Sequence, residues 1–129
     1  MGDFYQNGII TTLHSLSDRP LVDMEKELLG FSRERPLGLI LPSLYSELEG
    51  DALPAIIDAL KPASYLSEIV IGLDRADESQ YREALKFFGQ LPQRHRVLWN
   101  EGPRLQALDK QLQEMDLAPR ELGKGRNVW

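Results

Sequence analysis

Polar residues suited to ligand binding follow the apolar runs of this sequence. Asp74 comes directly after the run EIVIGL, and Glu47 lies in the segment PSLYSELEG that follows the run LGLIL. Near the carboxyl terminus, Lys124 stands between Gly123 and Gly125 in GKGRNVW. A carboxylate after a strand can accept hydrogen bonds from ribose hydroxyls or a base N–H. A lysine between glycines can pair with phosphate oxygens, because glycine lets the backbone approach a ligand closely.

Each of these residues also has a purely structural interpretation. Asp74 and Asp77 can cap the helix that follows them; spacing leaves both interpretations open for Asp74 and favours capping for Asp77. A helix dipole alone can stabilise Glu47, and the segment around Lys124 can be a flexible tail. Trp99 can stack on a base, although a strand tryptophan is more often part of the core.

Three short apolar runs predict the strands that position these residues. The runs are Leu37 to Leu41, Glu68 to Leu73 and Arg96 to Trp99, and their nearly continuous hydrophobicity is typical of strands covered on both faces. Segments of helical spacing separate them. The order predicts an N-terminal extension with one helix over residues 1–36 and a βαβαβα half-domain over residues 37–129. Such alternation implies an α/β fold with a Rossmann-like parallel sheet and right-handed crossovers.

The helical segments are marked by apolar stripes and by end signals. Asp77 and Gln80 have the spacing of a capping box, and both Pro20 and Pro103 suit a first helical turn. The predicted stripes are Leu21, Met24, Leu28 and Phe31; Leu53, Ile56, Ile57 and Leu60; Tyr81, Leu85 and Phe88; and Leu105, Leu108, Leu112 and Met115.

Composition excludes several classes of protein. The 129 residues suffice for one domain, and 42% hydrophobic and 27% charged residues are typical of a globular protein. A net charge of −5 without a basic cluster argues against nucleic acid as a partner. The sequence has no cysteine, no apolar run long enough to span a membrane and no signal peptide pattern, which predicts a cytoplasmic protein.

Several motifs of catalytic and nucleotide-binding proteins are missing. There is no G-x-G-x-x-G and no G-x-x-x-x-G-K-[ST], which argues against dehydrogenases and P-loop enzymes. His14 and His95 are the only histidines, so hydrolase and metal-centre interpretations have little support. We therefore assign no catalytic residue and no metal ligand from the sequence.

The segments LILPSLYSELEG, SEIVIGLDRAD and GKGRNVW occur in this order. Together they resemble the N-terminal nucleotide-binding half of GT-A-fold glycosyltransferases, most of all the group of glucosyl-3-phosphoglycerate synthase and mannosylglycerate synthase. The resemblance covers residues 37–129. It implies nucleotide binding at seven positions, namely Pro42, Leu44, Glu47, Asp74, Gly123, Lys124 and Gly125. Tyr45 and Ser46 depart from the Asn and Glu of the family, and RAD replaces its small-residue turn after Asp74.

The resemblance also implies an activity. Such enzymes transfer a hexose such as glucose from a nucleotide sugar such as UDP-glucose to a small acceptor such as 3-phosphoglycerate. They use Mg²⁺ or Mn²⁺ held by an Asp-x-Asp strand that follows the Gly-Lys-Gly helix. This sequence contains no Asp-x-Asp, so we expect the front part of a transferase with little or no turnover by itself. The alternative is a non-catalytic nucleotide-binding or interaction module, and a homodimer through the exposed sheet edge is a further possibility.

Overall fold

The computed structural model describes residues 18–118 and 127–128. In these residues strands and helices alternate as predicted, and the elements are α1 (Leu21–Glu34), β1 (Leu37–Leu44), a 3₁₀ helix (Tyr45–Glu49), α2 (Ala52–Leu60), β2 (Leu66–Asp74), α3 (Glu78–Phe88), β3 (His95–Trp99) and α4 (Pro103–Glu114). Each strand is longer than its apolar run. As a result, Pro42, Leu44 and Asp74 belong to strands instead of the loops in which the sequence placed them.

The three strands form one open parallel sheet in the order β1-β2-β3, which confirms the predicted Rossmann-like α/β class. Toward their carboxyl ends the strands are in register: Leu44 lies opposite Asp74, and Leu73 lies opposite Trp99. The carboxyl ends of all three strands therefore meet at one edge of the sheet. In open parallel sheets, this is the edge at which ligands bind.

The core lies on one face of the sheet, beneath α2 and α3. Ile69, Ile71 and Leu73 of the central strand are fully buried there, against Ile57 from α2 and Phe88 from α3. Burying an apolar side chain of this size stabilises the fold by roughly 1.5–3 kcal/mol. These contacts fix the central strand, and with it the position of Asp74 at its end.

The opposite face of the sheet is only partly covered. Ile40 of β1 is 57% exposed and Leu98 of β3 is 42% exposed. The prediction that every strand is covered on both faces is therefore wrong for the two edge strands, whose residues alternate between a packed and an open side. A continuous apolar run does not reveal this difference, because it looks the same whether one or both faces are packed.

The predicted starts of α3 and α4 are confirmed, and the predicted apolar stripes of the helices are confirmed only in part. Asp77 caps α3: its Oδ1 accepts a hydrogen bond from Gln80 N at 2.9 Å, and Gln80 Oε1 accepts one from Asp77 N at 2.9 Å. Helix α4 begins at Pro103 as predicted. In α3, however, Ala84 is buried and Leu85 is exposed, so Leu85 does not belong to the buried stripe. Helix α1 forms with no buried residue, and Pro20 precedes its first turn.

Candidate functional site

Two adjoining clefts open where the strands end. The first, which we call the strand-end cleft, has a volume of about 160 Å³ and is lined by Pro42, Ser43, Leu44, Glu47, Asp74, Arg75 and Asn127. The second, the helix-side cleft, has a volume of about 210 Å³ and is lined by Asp74, Leu98, Asn100, Leu105, Leu108, Asp109, Leu112, Asn127 and Val128. Asp74 and Asn127 line both clefts. The structure thus brings Pro42, Leu44, Glu47 and Asp74, four of the positions singled out in the sequence, to one place.

Asp74 is the last residue of the central strand and is only 7% exposed. No residue of the described part of the chain donates a hydrogen bond to its carboxylate. The cap of α3 is Asp77, so the structure excludes helix capping as the role of Asp74. A nearly buried carboxylate is costly without a hydrogen-bonding partner. Asp74 therefore presents an acceptor to whatever enters either cleft.

Glu47 is held against the end of β1 by a local hydrogen bond. Its Oε2 accepts a hydrogen bond from Leu44 N at 3.0 Å, which orients the carboxylate from within the 3₁₀ helix. The backbone of Leu44 lies opposite Asp74 in the register of the two strands. The two carboxylates thus lie at the carboxyl ends of neighbouring strands. The carboxylate of Glu47 is oriented by a hydrogen bond, whereas that of Asp74 accepts none from the described residues.

Asn127 was not recognised from the sequence, although it contributes to both clefts. Its Nδ2 donates a hydrogen bond to the carbonyl oxygen of Gly72 at 2.9 Å, and its Oδ1 accepts one from Asn100 Nδ2 at 3.1 Å. A Cβ at position 72 would lie 2.0 Å from Asn127 Oδ1. The glycine within β2 is thus needed for the close approach of Asn127. A glycine inside a strand is itself a signal of such an approach.

Glu101 organises the loop that follows Asp74, and it too was missed. Its Oε1 accepts a hydrogen bond from Arg75 N at 3.0 Å, and its Oε2 accepts one from Ala76 N at 3.2 Å. Arg75 has a φ of 57°, a left-handed conformation that costs a residue with a side chain roughly 1–2 kcal/mol. Two backbone hydrogen bonds donated to the Glu101 carboxylate offset that cost and fix the backbone beside Asp74.

Trp99 belongs to the core side of the sheet. Its ring stacks on Tyr81 with the ring centroids 5.0 Å apart and an interplanar angle of 9°, and its Nε1 donates a hydrogen bond to Ala76 O at 2.6 Å. The core interpretation of Trp99 is therefore confirmed, and a base-stacking role is not supported. A Cβ at Gly102 would lie 2.8 Å from the ring, so the turn before α4 requires glycine.

Tyr45, which departs from the family pattern, bonds away from the clefts. Its hydroxyl donates a hydrogen bond to Glu83 Oε2 at 2.5 Å. This bond, with the negative charge of Glu83, raises the pKa of Tyr45 from 10.0 to about 12. The contact joins the 3₁₀ helix to α3 and so supports the segment that carries Glu47.

Gly123, Lys124 and Gly125 lie outside the described residues. The chain reaches the clefts at Asn127, two positions after Gly125 in sequence. Within residues 18–118 and 127–128, no three His, Asp, Glu or Cys side chains come together as ligands for a metal ion. In the same part of the chain, no helix is long and apolar enough to cross a membrane.

The parallel sheet, its helices and the two clefts at the carboxyl ends of the strands define a Rossmann-like α/β protein. Along nearly its whole length, the chain is similar to part of two curated proteins named glucosyl-3-phosphoglycerate synthase. It is 45% identical over 129 residues to the protein of that name from Persephonella marina, covering 100% of this chain and 32% of that protein. It is 37% identical over 132 residues to the one from Methanococcoides burtonii, covering 98% of this chain and 31% of that protein. The resemblance to glucosyl-3-phosphoglycerate synthase stated from the three motifs is confirmed.

The chain therefore spans about a third of the length of these curated relatives. A shorter similarity, 34% identical over 59 residues, is to a neuferricin homolog from Caenorhabditis elegans and covers 46% of this chain. No family model matches the chain. No solved structure matches it either.

Proposed function

We propose that the chain is the nucleotide-sugar-binding part of a glycosyltransferase. The whole protein would transfer a hexose such as glucose from UDP-glucose to a small acceptor such as 3-phosphoglycerate. Two relatives named for glucosyl-3-phosphoglycerate synthesis, each similar to nearly all of this chain, support the proposal. So does the position of the clefts, at the carboxyl ends of parallel strands.

The observation that carries the proposal is the nearly buried Asp74 carboxylate, which has no donor in the described part of the chain. Such a carboxylate can accept hydrogen bonds from ribose hydroxyls or from a base N–H. One carboxylate oxygen of Glu47 accepts a hydrogen bond from Leu44 N. Its other oxygen can accept a hydrogen bond from the nucleotide that binds Asp74. Pro42 and Leu44 supply apolar surface beside the two carboxylates. The strand-end cleft thus has the mixture of apolar walls and a few polar groups that is usual for ligand sites.

Two further parts of the proposal rest on the resemblance. Lys124, between Gly123 and Gly125, would pair with the diphosphate, since an ammonium attracts phosphate oxygens and glycines permit close approach. A divalent cation, Mg²⁺ or Mn²⁺, would neutralise the departing diphosphate in the whole enzyme. The residues described here do not form a site for it, so its ligands would have to come from elsewhere.

Calorimetric titration of the 129-residue chain with UDP-glucose, GDP-glucose and ADP-glucose tests the proposal. We expect one sugar nucleotide to bind and Asp74→Asn to weaken that binding about tenfold, as for the loss of one hydrogen bond to a charged group. Asp58→Asn is the matched control, because Asp58 lies on the exposed side of α2 and pairs with Lys61. A folded wild-type chain that binds none of the three would contradict the proposal.

A non-catalytic nucleotide-binding module is the second candidate for this chain. The sequence has no Asp-x-Asp, and the described residues do not converge on a metal ion. We accordingly expect the purified chain to bind a sugar nucleotide without transferring glucose to 3-phosphoglycerate in the presence of Mg²⁺ or Mn²⁺. Product formation, measured with radiolabelled donor, would show that this expectation is wrong.

A further inference from the structure

Arg75 is the one cation among the described residues that line the strand-end cleft, which also holds the carboxylates of Glu47 and Asp74. Its side chain is exposed. It forms an ion pair neither with these two carboxylates nor with any other residue of the described ranges. The cleft therefore carries an available positive charge directly beside Asp74.

The backbone of Arg75 is fixed from another loop of the protein. Glu101, which follows β3, binds the N–H groups of Arg75 and Ala76 at 3.0 Å and 3.2 Å. Trp99 adds a third bond, from Nε1 to Ala76 O at 2.6 Å. The backbone of Arg75, which has a left-handed φ of 57°, is thus held by hydrogen bonds at Arg75 N, Ala76 N and Ala76 O. Because its backbone is fixed in this way, the Arg75 side chain extends from a defined position beside the strand-end cleft.

We propose that Arg75 binds the phosphate groups of the nucleotide, and that Glu101 is the positioning residue that holds Arg75 in place. This inference rests on the proposed function. The two carboxylates match the neutral donors of a nucleoside and would repel its phosphates, whereas a guanidinium forms paired hydrogen bonds with phosphate oxygens. A nucleoside diphosphate thus finds groups of both kinds in the strand-end cleft.

The test for Arg75 compares a nucleotide with its nucleoside. UDP and uridine are titrated by NMR, which reaches weak affinities, into the wild-type chain and Arg75→Ala. We expect UDP to bind about tenfold more weakly to the variant, while the affinity for uridine stays unchanged. Arg94→Ala is the matched control: it removes the same charge just before β3, at the opposite edge of the sheet. If the sugar-nucleotide panel selects another base, its diphosphate and nucleoside replace UDP and uridine.

The test for Glu101 uses its isosteric variant and a double variant. Glu101→Gln keeps the shape of the side chain but loses one of the two acceptors, so UDP affinity should fall and uridine affinity should not. If Glu101 acts through Arg75, the double variant with Arg75→Ala should bind UDP no more weakly than Arg75→Ala alone. Thermal unfolding of each variant shows whether the fold is retained.

The outcomes separate the two proposals. Wild-type UDP affinity in Arg75→Ala, or an equal loss for UDP and uridine, would overturn the phosphate contact and leave the proposed function standing. Additive losses in the double variant would overturn the positioning role of Glu101. A folded wild-type chain that binds neither nucleotide nor nucleoside would overturn the proposed function, and this inference with it.

Discussion

Asn127 hydrogen-bonds through Nδ2 to the carbonyl oxygen of Gly72 at 2.9 Å, across 55 positions of sequence. This bond joins the far end of the chain to the central strand two residues before Asp74. It also explains why β2 contains a glycine, since a Cβ there would lie 2.0 Å from the Asn127 side chain. Both clefts depend on this contact, because Asn127 lines each of them.

Replacing Gly72 with alanine should displace Asn127 from the clefts. We expect the free energy of unfolding to fall by about 1–3 kcal/mol, the usual cost of overpacking, as measured by urea denaturation. Gly38→Ala is the control, because a Cβ there meets only Glu68 O, at an ordinary 3.8 Å. In an Asn127→Ala background, Gly72→Ala should cost less. Equal costs in both backgrounds would show that the Asn127 side chain is not the obstacle.

Two phenylalanines should differ strongly in their contribution to stability. Phe88 is 0% exposed beneath the sheet, whereas Phe31 on α1 is 59% exposed. Phe88→Ala should lower the free energy of unfolding by about 3–5 kcal/mol, and Phe31→Ala should change it by less than about 0.5 kcal/mol. Urea denaturation of both variants measures the difference. Similar losses would mean that α1 is packed against apolar surface in solution.

The hydrogen bond between Tyr45 and Glu83 should make stability depend on alkaline pH. The pKa of Tyr45 is raised from 10.0 to about 12 in the folded protein, first by this bond, then by desolvation of the hydroxyl, and then by the negative charge of Glu83. The folded state thus holds the phenolic proton more tightly than the unfolded chain does. The stabilisation from the bond is therefore complete below pH 10 and is lost as the pH rises toward 12.

Tyr45→Phe provides the measurement. The difference in free energy of unfolding between wild type and variant should be constant below about pH 10 and shrink at higher pH. Because every other titrating group is shared, the difference isolates this one hydroxyl. A difference that stays constant through the alkaline range would show that Tyr45 has no raised pKa.

Local patterns in the sequence were enough to predict most of the fold. The capping box of Asp77 and Gln80, the start of α4 at Pro103 and the βαβαβα order were all predicted correctly. Each depends on residues a few positions apart, or on the periodicity of one segment. The sequence also indicated the region of the clefts, because parallel strands must bring their carboxyl ends to one edge.

Only the tertiary structure decided how that edge is built. It showed that Asp74 does not cap α3, and that Ile40 and Leu98 of the edge strands remain exposed on one face. It also placed Asn127 on Gly72 and Glu101 on the loop after Asp74. These contacts join residues 55, 26 and 25 positions apart, and no local pattern encodes such pairs. Their geometry follows from the packing of β2 between its neighbours, which exists only once the chain has folded.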